Sequence, residues 1–376
     1  MKKRILIATG GTGGHLYPAI SLADRLTQLN PALEVLFVGG KLKGNRCFEN
    51  KAFAYREISS ATFNWKNPVQ VAKAGGCILR GIWESGQILN EFCPDAVVGF
   101  GSYYTLPILC AARWREIPIV LHEANRIPGK VNRLLSPHVL LTGVHFPDAA
   151  LKLKGRTMEI PFPLRMGYEK GTMTSFQARS FFGLDSDRTT LLLFGGSQGA
   201  KKLNQTFMEA LTELSAPFRK SIQILHLTGD DAFVRQLEEK YEAAHIKAAV
   251  KAFEPNMMVA WAAADLVIAR SGAGTVAELM EFEVPAILIP YPYAADHHQE
   301  ANADFVVDVV KGGVKYREAD LTWERLKNGI ESLLSVDAQP LTQMRVALRE
   351  AKQLKRGKKE LWDLLLEILN SSANMQ

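Results

Sequence analysis

The chain has 376 residues, of which 47% are hydrophobic and 22% charged, and a formal net charge of +6. That length suits two domains with sizeable cores, and the proportions exclude a disordered or low-complexity protein. The mild cationic excess suits an anionic partner, whether phosphate, nucleic acid or acidic lipid.

Residues 5–8 form the first short apolar run. The basic start Met1-Lys2-Lys3-Arg4 precedes it, but glycines cut it off too soon for a signal peptide. No later stretch reaches the roughly 18 to 20 apolar residues of a spanning helix. A cytoplasmic chain with only peripheral membrane contact is expected. Further runs at 35–38, 96–98, 119–121 and 139–142, then 191–194, 222–227, 250–252, 266–268 and 286–289, predict strands. Continuous Val/Ile/Leu runs mean strands covered on both faces, hence parallel sheets. Segments 18–28, 202–214 and 275–282 carry helical periodicity between them, so the class is α/β. Cys47, Cys77, Cys93 and Cys110 make no C-x-x-C pair and sit in or beside apolar stretches, which predicts buried thiols in a reducing compartment. Near the end, Arg345, Arg349, Lys352, Lys355, Arg356, Lys358 and Lys359 face only Glu350 and Glu360. That run reads as a solvated helix face or a surface for an anion.

The pattern restarts halfway. The first strand runs into Gly10-Gly11-Thr12-Gly13-Gly14, and the strand at 191–194 runs into Gly195-Gly196-Ser197-Gln198-Gly199. A second glycine turn follows in each half, at Gly99-Phe100-Gly101-Ser102 and Ser271-Gly272-Ala273-Gly274. Two Rossmann-type domains in tandem are expected, facing each other across a cleft. The seam falls near Ile160-Pro161-Phe162-Pro163-Leu164, where two prolines stiffen the crossing. This predicts domains over residues 1–163 and 164–345, and a basic C-terminal helix over 346–376 that packs back on the first.

Glycine after a buried strand serves either close packing or the approach of a ligand to the main chain, and the helix that follows offers N–H groups to a phosphate. The dinucleotide fingerprint fails, because Leu16 stands where the third glycine belongs and the second strand ends in Val38-Gly39-Gly40 without an acid. The P-loop of NTPases is absent as well. A nucleotide sugar remains. Asp185-Ser186-Asp187, a candidate metal-binding pair, precedes its strand at the wrong end and reads as a solvated turn. His122-Glu123 lacks the second histidine of a zinc site, and Asp296-His297-His298 points adjacent side chains apart. No cofactor and no essential protein-bound metal are expected.

Five motifs then occur in order: Gly10-Gly11-Thr12-Gly13-Gly14-His15; His122-Glu123-x-Asn125; Gly195-Gly196-Ser197-Gln198-Gly199-Ala200; Arg270-Ser271-Gly272-Ala273-Gly274-Thr275-Val276-x-Glu278; and Pro290-Tyr291-Pro292 through Asp296-His297-His298-Gln299 to Asn302-Ala303. Together they resemble the MurG family, the lipid I N-acetylglucosaminyltransferases of peptidoglycan synthesis, from about Arg4 to the C-terminal helix. The resemblance implies the GT-B glycosyltransferase fold, with acceptor and membrane on the first domain and donor on the second. It implies inverting transfer of N-acetylglucosamine from UDP-N-acetylglucosamine to the 4-hydroxyl of the muramyl sugar of lipid I, giving lipid II. It places the enzyme at the cytoplasmic face of the bacterial plasma membrane, in cell-wall growth, cell shape and division. Its partners would be an anionic phospholipid surface and cell-wall synthesis proteins, and no nucleic acid.

Matching positions carry roles. Ala273, Gly274, Thr275, Val276, Ala277 and Glu278 would line the uridine site, with Glu278 on the ribose hydroxyls and the main chain of Glu254 at uracil. Ser197 and Arg165 would meet the diphosphate, and Asn125 and Gln299 the N-acetylglucosamine. Thr12, Gly13 and Gly14 would sit at the sugar–phosphate end. Gly101, Ser102, Tyr103 and Tyr104 would lie on the acceptor side, where the family loop has a second glycine in place of Ser102. Ala124 and Phe162 also depart from the family pattern. His15 is the expected base, since an imidazole with a pKa near ~6.5 can take the hydroxyl proton; its plainer role would be a hydrogen bond to nearby backbone. Residues 64–91 mix Trp65, Leu79 and Trp83 with Lys66, Lys73 and Arg80, which suits either a helix facing the core or docking on an anionic surface. The rivals are a UDP-N-acetylglucosamine epimerase of similar fold and a non-catalytic nucleotide-sugar-binding protein.

Overall fold

The computed structural model describes residues 2–45, 48, 53–61, 68–195, 201–334 and 339–371. The chain divides into two units, Met1–Met166 with Gly357–Gln376, and Gly167–Arg356. The first carries strands β1 (Arg4–Ala8), β2 (Glu34–Gly39), β3 (Ala54–Glu57), β4 (Ala96–Gly99), β5 (Ile119–Glu123), β6 (Leu141–Val144) and β7 (Thr157–Glu159). All pair in parallel, in the order β3-β2-β1-β4-β5-β6-β7. Helices α1 (Gly13–Leu29), α2 (Pro68–Phe92), α3 (Leu106–Trp114) and α4 (Lys130–Leu135) cover the two faces. Ile5 and Ile7 of β1 pack against Leu16, Ile20 and Leu26 of α1. Leu6 and Ala8 face Ile108 and Leu109 of α3. Burial on both faces is why β1 reads as an unbroken apolar run.

The second unit repeats the plan. Strands β8 (Thr189–Phe194), β9 (Ile222–Leu227), β10 (Lys247–Lys251), β11 (Leu266–Ala269), β12 (Ala286–Leu288) and β13 (Gly313–Lys315) form a parallel sheet in the order β10-β9-β8-β11-β12-β13. Its helices are α5 (Ser175–Phe181), α6 (Lys201–Thr212), α7 (Ala216–Ser221), α8 (Val234–Ala243), α9 (Met257–Ala263), α10 (Ala273–Phe282), α11 (His298–Asp304), α12 (Trp323–Leu333) and α13 (Gln339–Lys355). In each sheet the strand order reverses at the first strand, between β1 and β4 and between β8 and β11. Ligands of doubly wound sheets bind outside the carboxyl ends of the strands at that switch point. The glycine turns after β1, β4 and β11 follow three of those strands, and residues 196–200, after β8, lie outside the described residues.

Three expectations need correction. The seam lies at Met166/Gly167 rather than at 163/164. Arg165 therefore belongs to the first unit, where its guanidinium stacks on Tyr17 of α1 at 4.1 Å, and Gly167 turns the chain away at φ +78°. The stretch 346–376 is not one helix. It breaks at Gly357, φ +78°, and only α14 (Leu361–Ser371) packs on the first unit, through Leu361, Leu365 and Leu369. The basic run of α13 stays with the second unit, because Arg345, Arg349 and Lys352 pair with Asp265, Glu283 and Glu281 at 3.8, 3.1 and 2.8 Å. Burial works against ionisation of Glu283, but hydrogen bonds from Lys170 and Arg349 outweigh it and hold its carboxyl below the ordinary range. The thiols are not buried either: Cys77 and Cys110 are half-buried and Cys93 is exposed, while Cys47 lies outside the described residues.

Glu360, just before α14, is half-buried, with no hydrogen-bond partner for Oε2. Desolvation, then Asp363, push its pKa up to about 7, against the pull of Arg25. A carboxyl whose folded pKa is raised costs nothing below its unfolded pKa and destabilises progressively as pH rises toward the folded value. Glu360→Gln is therefore expected to match the parent near pH 4 and to be more stable by about 1 kcal/mol at pH 8, after allowing for solvent screening. Thermal melts of both proteins across that range check it; parallel curves would contradict the assignment.

Candidate active site

At the first switch point, α1 opens at Gly13 behind Thr12, whose side chain makes no capping bond. The N–H groups of Gly13 and Gly14 are thus left for water or a ligand, while that of His15 bonds the Thr12 carbonyl at 3.1 Å. The glycines here do different work. A Cβ on Gly10 would lie 2.3 Å from the Gly40 carbonyl oxygen, and one on Gly39 1.7 Å from that of Thr9, so these serve backbone packing. A Cβ on Gly14 would meet nothing nearer than Thr12 Oγ1 at 3.8 Å, an ordinary van der Waals contact, so it fits without displacing anything. His15 is half-buried and its Nδ1 lies 2.8 Å from the Phe100 carbonyl oxygen. A carbonyl only accepts, so Nδ1 carries the proton and Nε2 is the basic nitrogen of the neutral ring. The backbone bond expected of a merely structural histidine is present, and it also sets the tautomer a base needs.

The turn after β4 is strained. Gly101 has φ +78°, and Ser102 has φ 77°, ψ 148°, a region open in practice only to glycine. The family's second glycine fits that geometry; Ser102 holds it by accepting the Tyr104 N–H at 3.4 Å. Tyr103 packs partly buried beside α3, and the ring of Tyr104 covers Gly11 and Gly40, with the Lys41 ammonium 5.5 Å from its centre.

After β5 the buried Glu123 organises the loop. Its carboxylate accepts from the Asn125 N–H (2.9 Å), the Gly129 N–H (2.8 Å) and Asn132 Nδ2 (2.9 Å). Burial pushes its pKa up, against those bonds. It is a pin that fixes Asn125, not an exposed acid. His122 is buried with neither ring nitrogen hydrogen-bonded. Desolvation, with the charge of His15 adding, lowers its pKa to about 3, so it stays neutral. Its ring touches Phe100 and Phe162, and Phe162 also meets His145, so the phenylalanine that replaces the family's asparagine completes an aromatic cluster.

At the second switch point, α10 opens behind Gly272, which has no side chain to cap it; a Cβ there would meet only Thr275 Oγ1 at 3.9 Å. Of the six residues from Ala273 to Glu278, Ala273, Val276 and Ala277 are buried, and Gly274, Thr275 and Glu278 remain part-exposed. Glu278 Oε2 accepts from Trp261 Nε1 at 2.8 Å. The Glu254 side chain is turned inward, bonded to Lys251 Nζ (2.5 Å) and the Asn256 N–H (2.9 Å), so the residue has only its main chain to offer. Gln299 Oε1 accepts the Tyr291 N–H at 3.0 Å, and its carbonyl accepts Ser271 Oγ at 2.7 Å, which ties α11 to the α10 loop. Arg270 is a buried clamp, donating to the carbonyls of Ile289 and Pro290 and pairing with Glu318 at 2.5 Å. Ser197 lies outside the described residues.

Asp185 pairs with Arg188 and Lys247 at 3.0 and 3.7 Å, an ion-paired turn before β8. His298 Nδ1 is bonded to the Ala295 carbonyl, and Asp296 and His297 are both left-handed, at φ 50° and 53°. Among the described residues no group of three or more His, Cys, Asp or Glu could hold a metal ion. Sequence reasoning missed Trp261, the pinning role of Glu123 and exposed Phe253 beside Glu254. Only the buried indole, read as an obligate donor, could have signalled the first of these.

The chain matches the N-terminal domain of glycosyltransferase family 28 over residues 5–141 and its C-terminal domain over residues 190–361. Fold, switch-point loops and matched domains define a two-domain GT-B glycosyltransferase. A relative in Protochlamydia amoebophila, named as UDP-N-acetylglucosamine–N-acetylmuramyl-(pentapeptide) pyrophosphoryl-undecaprenol N-acetylglucosamine transferase, is 48% identical over 89% of this chain and 88% of its own. One of the same name in Thermodesulfovibrio yellowstonii is 37% identical over 80% and 81%. The crystal structure of Acinetobacter baumannii MurG is similar with a TM-score of 0.74 at 26% identity, covering 98% of this chain and 99% of that one. The chain belongs to the MurG family of glycosyltransferases.

Proposed function

We propose that this chain transfers N-acetylglucosamine from UDP-N-acetylglucosamine to lipid I, forming lipid II for peptidoglycan. The observation that carries this is the 48% identity, along nearly nine-tenths of both chains, to a transferase named for that donor and acceptor. Nothing favours the epimerase. In one displacement, the 4-hydroxyl oxygen of the muramyl sugar attacks the anomeric carbon as its bond to UDP breaks, which inverts the configuration. The hydroxyl proton passes to His15 Nε2, and UDP leaves. Thr12, Gly13 and Gly14 meet the sugar–phosphate end. Arg165 and Ser197 meet the diphosphate, Asn125 and Gln299 the sugar, Glu278 the ribose and the Glu254 main chain the uracil. Gly101 to Tyr104 serve the acceptor. What supports this reading is that the described members sit at the carboxyl ends of their sheets. Incubation of the purified protein with radiolabelled UDP-N-acetylglucosamine and lipid I tests it. Label in lipid II is expected. Label in a new sugar nucleotide without lipid I would overturn it.

The acceptor is lipid-linked, and we place the enzyme at the cytoplasmic face of the plasma membrane, beside cell-wall synthesis proteins. Among the described residues no helix is long and apolar enough to cross a membrane. Helix α2 buries Ala74, Ile78, Ser85 and Leu89, so much of its apolar content serves the core. Leu79 and Trp83, one turn apart, are left 69% and 64% exposed, and Trp114 at the end of the adjoining α3 is 79% exposed. Exposed Lys73, Arg80 and Arg113 lie on the same two helices; Trp65 and Lys66 fall outside the described residues. Large apolar tips beside cations suit an anionic lipid surface. Vesicles rich in anionic lipid should bind the protein, roughly 10-fold more weakly at about 0.3 M than at about 0.05 M salt. Equal sedimentation with neutral vesicles at every salt level would remove the electrostatic part.

A further inference from the structure

Trp261 on α9 is 1% exposed. An indole has one donor and no acceptor, so a buried tryptophan must spend that donor on something fixed. Here Nε1–H goes to Glu278 Oε2, at 2.8 Å, from α9 to α10. The ring has little room to follow a wandering carboxylate. It lies nearly parallel to Phe282, at an interplanar angle of 14°, and meets the edge of Phe194 at 84°. Phe282 ends the helix that carries Glu278, and Phe194 ends the strand that leads into the second glycine loop. The indole is thereby locked to both elements of the second switch point.

We propose that Trp261 is a positioning residue for the nucleoside: by holding Oε2, it keeps the Glu278 carboxylate in one rotamer for the ribose hydroxyls. The inference rests on the reading that Glu278 grips the ribose. A glutamate free to rotate gives up its side-chain freedom when it binds, which lowers affinity by roughly 5- to 30-fold. In this protein that freedom is lost on folding. The prediction is specific to the ribose, because a tryptophan that merely packs α9 on α10 would, when altered, weaken every nucleotide alike.

The test measures UDP and 2′-deoxy-UDP binding by calorimetry in four proteins: the parent, Trp261→Phe, Glu278→Gln and the double variant. Thermal melts monitor folding. Because phenylalanine is smaller, a fifth protein carries benzothienylalanine at position 261, an isostere with sulfur in place of N–H. UDP affinity and the donor KM should change about 10-fold in both position-261 variants, with kcat within about twofold. Preference for UDP over 2′-deoxy-UDP should shrink. In the Glu278→Gln background the Trp261 change should cost little more. Undiminished preference for UDP in the folded benzothienylalanine protein, with Glu278→Gln still weak, would overturn the positioning role alone. A Glu278→Gln protein that binds UDP as the parent does would overturn the ribose reading and this inference with it.

Discussion

His15→Ala is expected to lower turnover by at least ~10²-fold while UDP affinity stays within about twofold. The Phe100 carbonyl fixes the proton on Nδ1, so Nε2 carries the lone pair. His122 is buried and feels the charge of His15, and its pKa is lowered to about 3, so its ring is too weakly basic to replace His15. The rate of the parent should fall on acidification, as imidazolium replaces the base, and that acid limb should vanish with the side chain. Asparagine at this position keeps an N–H close to where Nδ1 stands but supplies no base. His15→Asn should therefore restore any stability lost in His15→Ala without restoring the rate. Turnover within a few-fold of the parent in either variant would remove His15 from the proton transfer.

Gly39→Ala should cost the first unit at least ~3 kcal/mol and lower Tm by roughly 6–12 °C. The new methyl would sit 1.7 Å from the Thr9 carbonyl oxygen and 2.8 Å from its carbonyl carbon. Both are main-chain atoms, so no rotamer change relieves the overlap. The Thr9 N–H donates to the Val38 carbonyl at 3.1 Å, and the Ile58 N–H to that of Gly39, also at 3.1 Å. Pushing β1 and β2 apart would therefore break the ladder that sets the Thr9–Thr12 turn. Gly14→Ala is the counterpart. Its methyl makes only an ordinary contact, with Thr12 Oγ1, in the first turn of a helix, so Tm should move by no more than about 2 °C while substrate KM rises. Circular-dichroism melts and steady-state kinetics on the pair check both. A Gly39→Ala protein melting with the parent would show that the strands can separate without loss.

The long buried strands were legible because two covered faces demand unbroken apolar runs. Val139–Thr142 was read two residues early, since the chain enters β6 through apolar Val139 and Leu140. Strands β3, β7 and β13 were missed. They lie at or next to sheet edges, are three or four residues long, and β3 reads Ala-Tyr-Arg-Glu, exposed throughout. No apolar periodicity marks such segments. The loops after β1, β4 and β11 were legible too, because glycine turns after buried strands are local features.

By itself the sequence determined two βαβ halves, their parallel sheets and the glycine loops at the strand ends, since each follows from residues adjacent in the chain. Only the tertiary structure decided what each polar group does. Gly10 and Gly39 serve the backbone and Gly14 opens outward, because backbone approach depends on neighbouring strands. Arg345, Arg349 and Lys352 of α13 are spent on Asp265, Glu283 and Glu281, more than sixty residues away in sequence. Glu123 is a pin for Asn125, and Glu278 is held by Trp261. Hydrogen bonds and ion pairs act over a few ångströms, and which groups come that close is set by the fold rather than by their spacing along the chain.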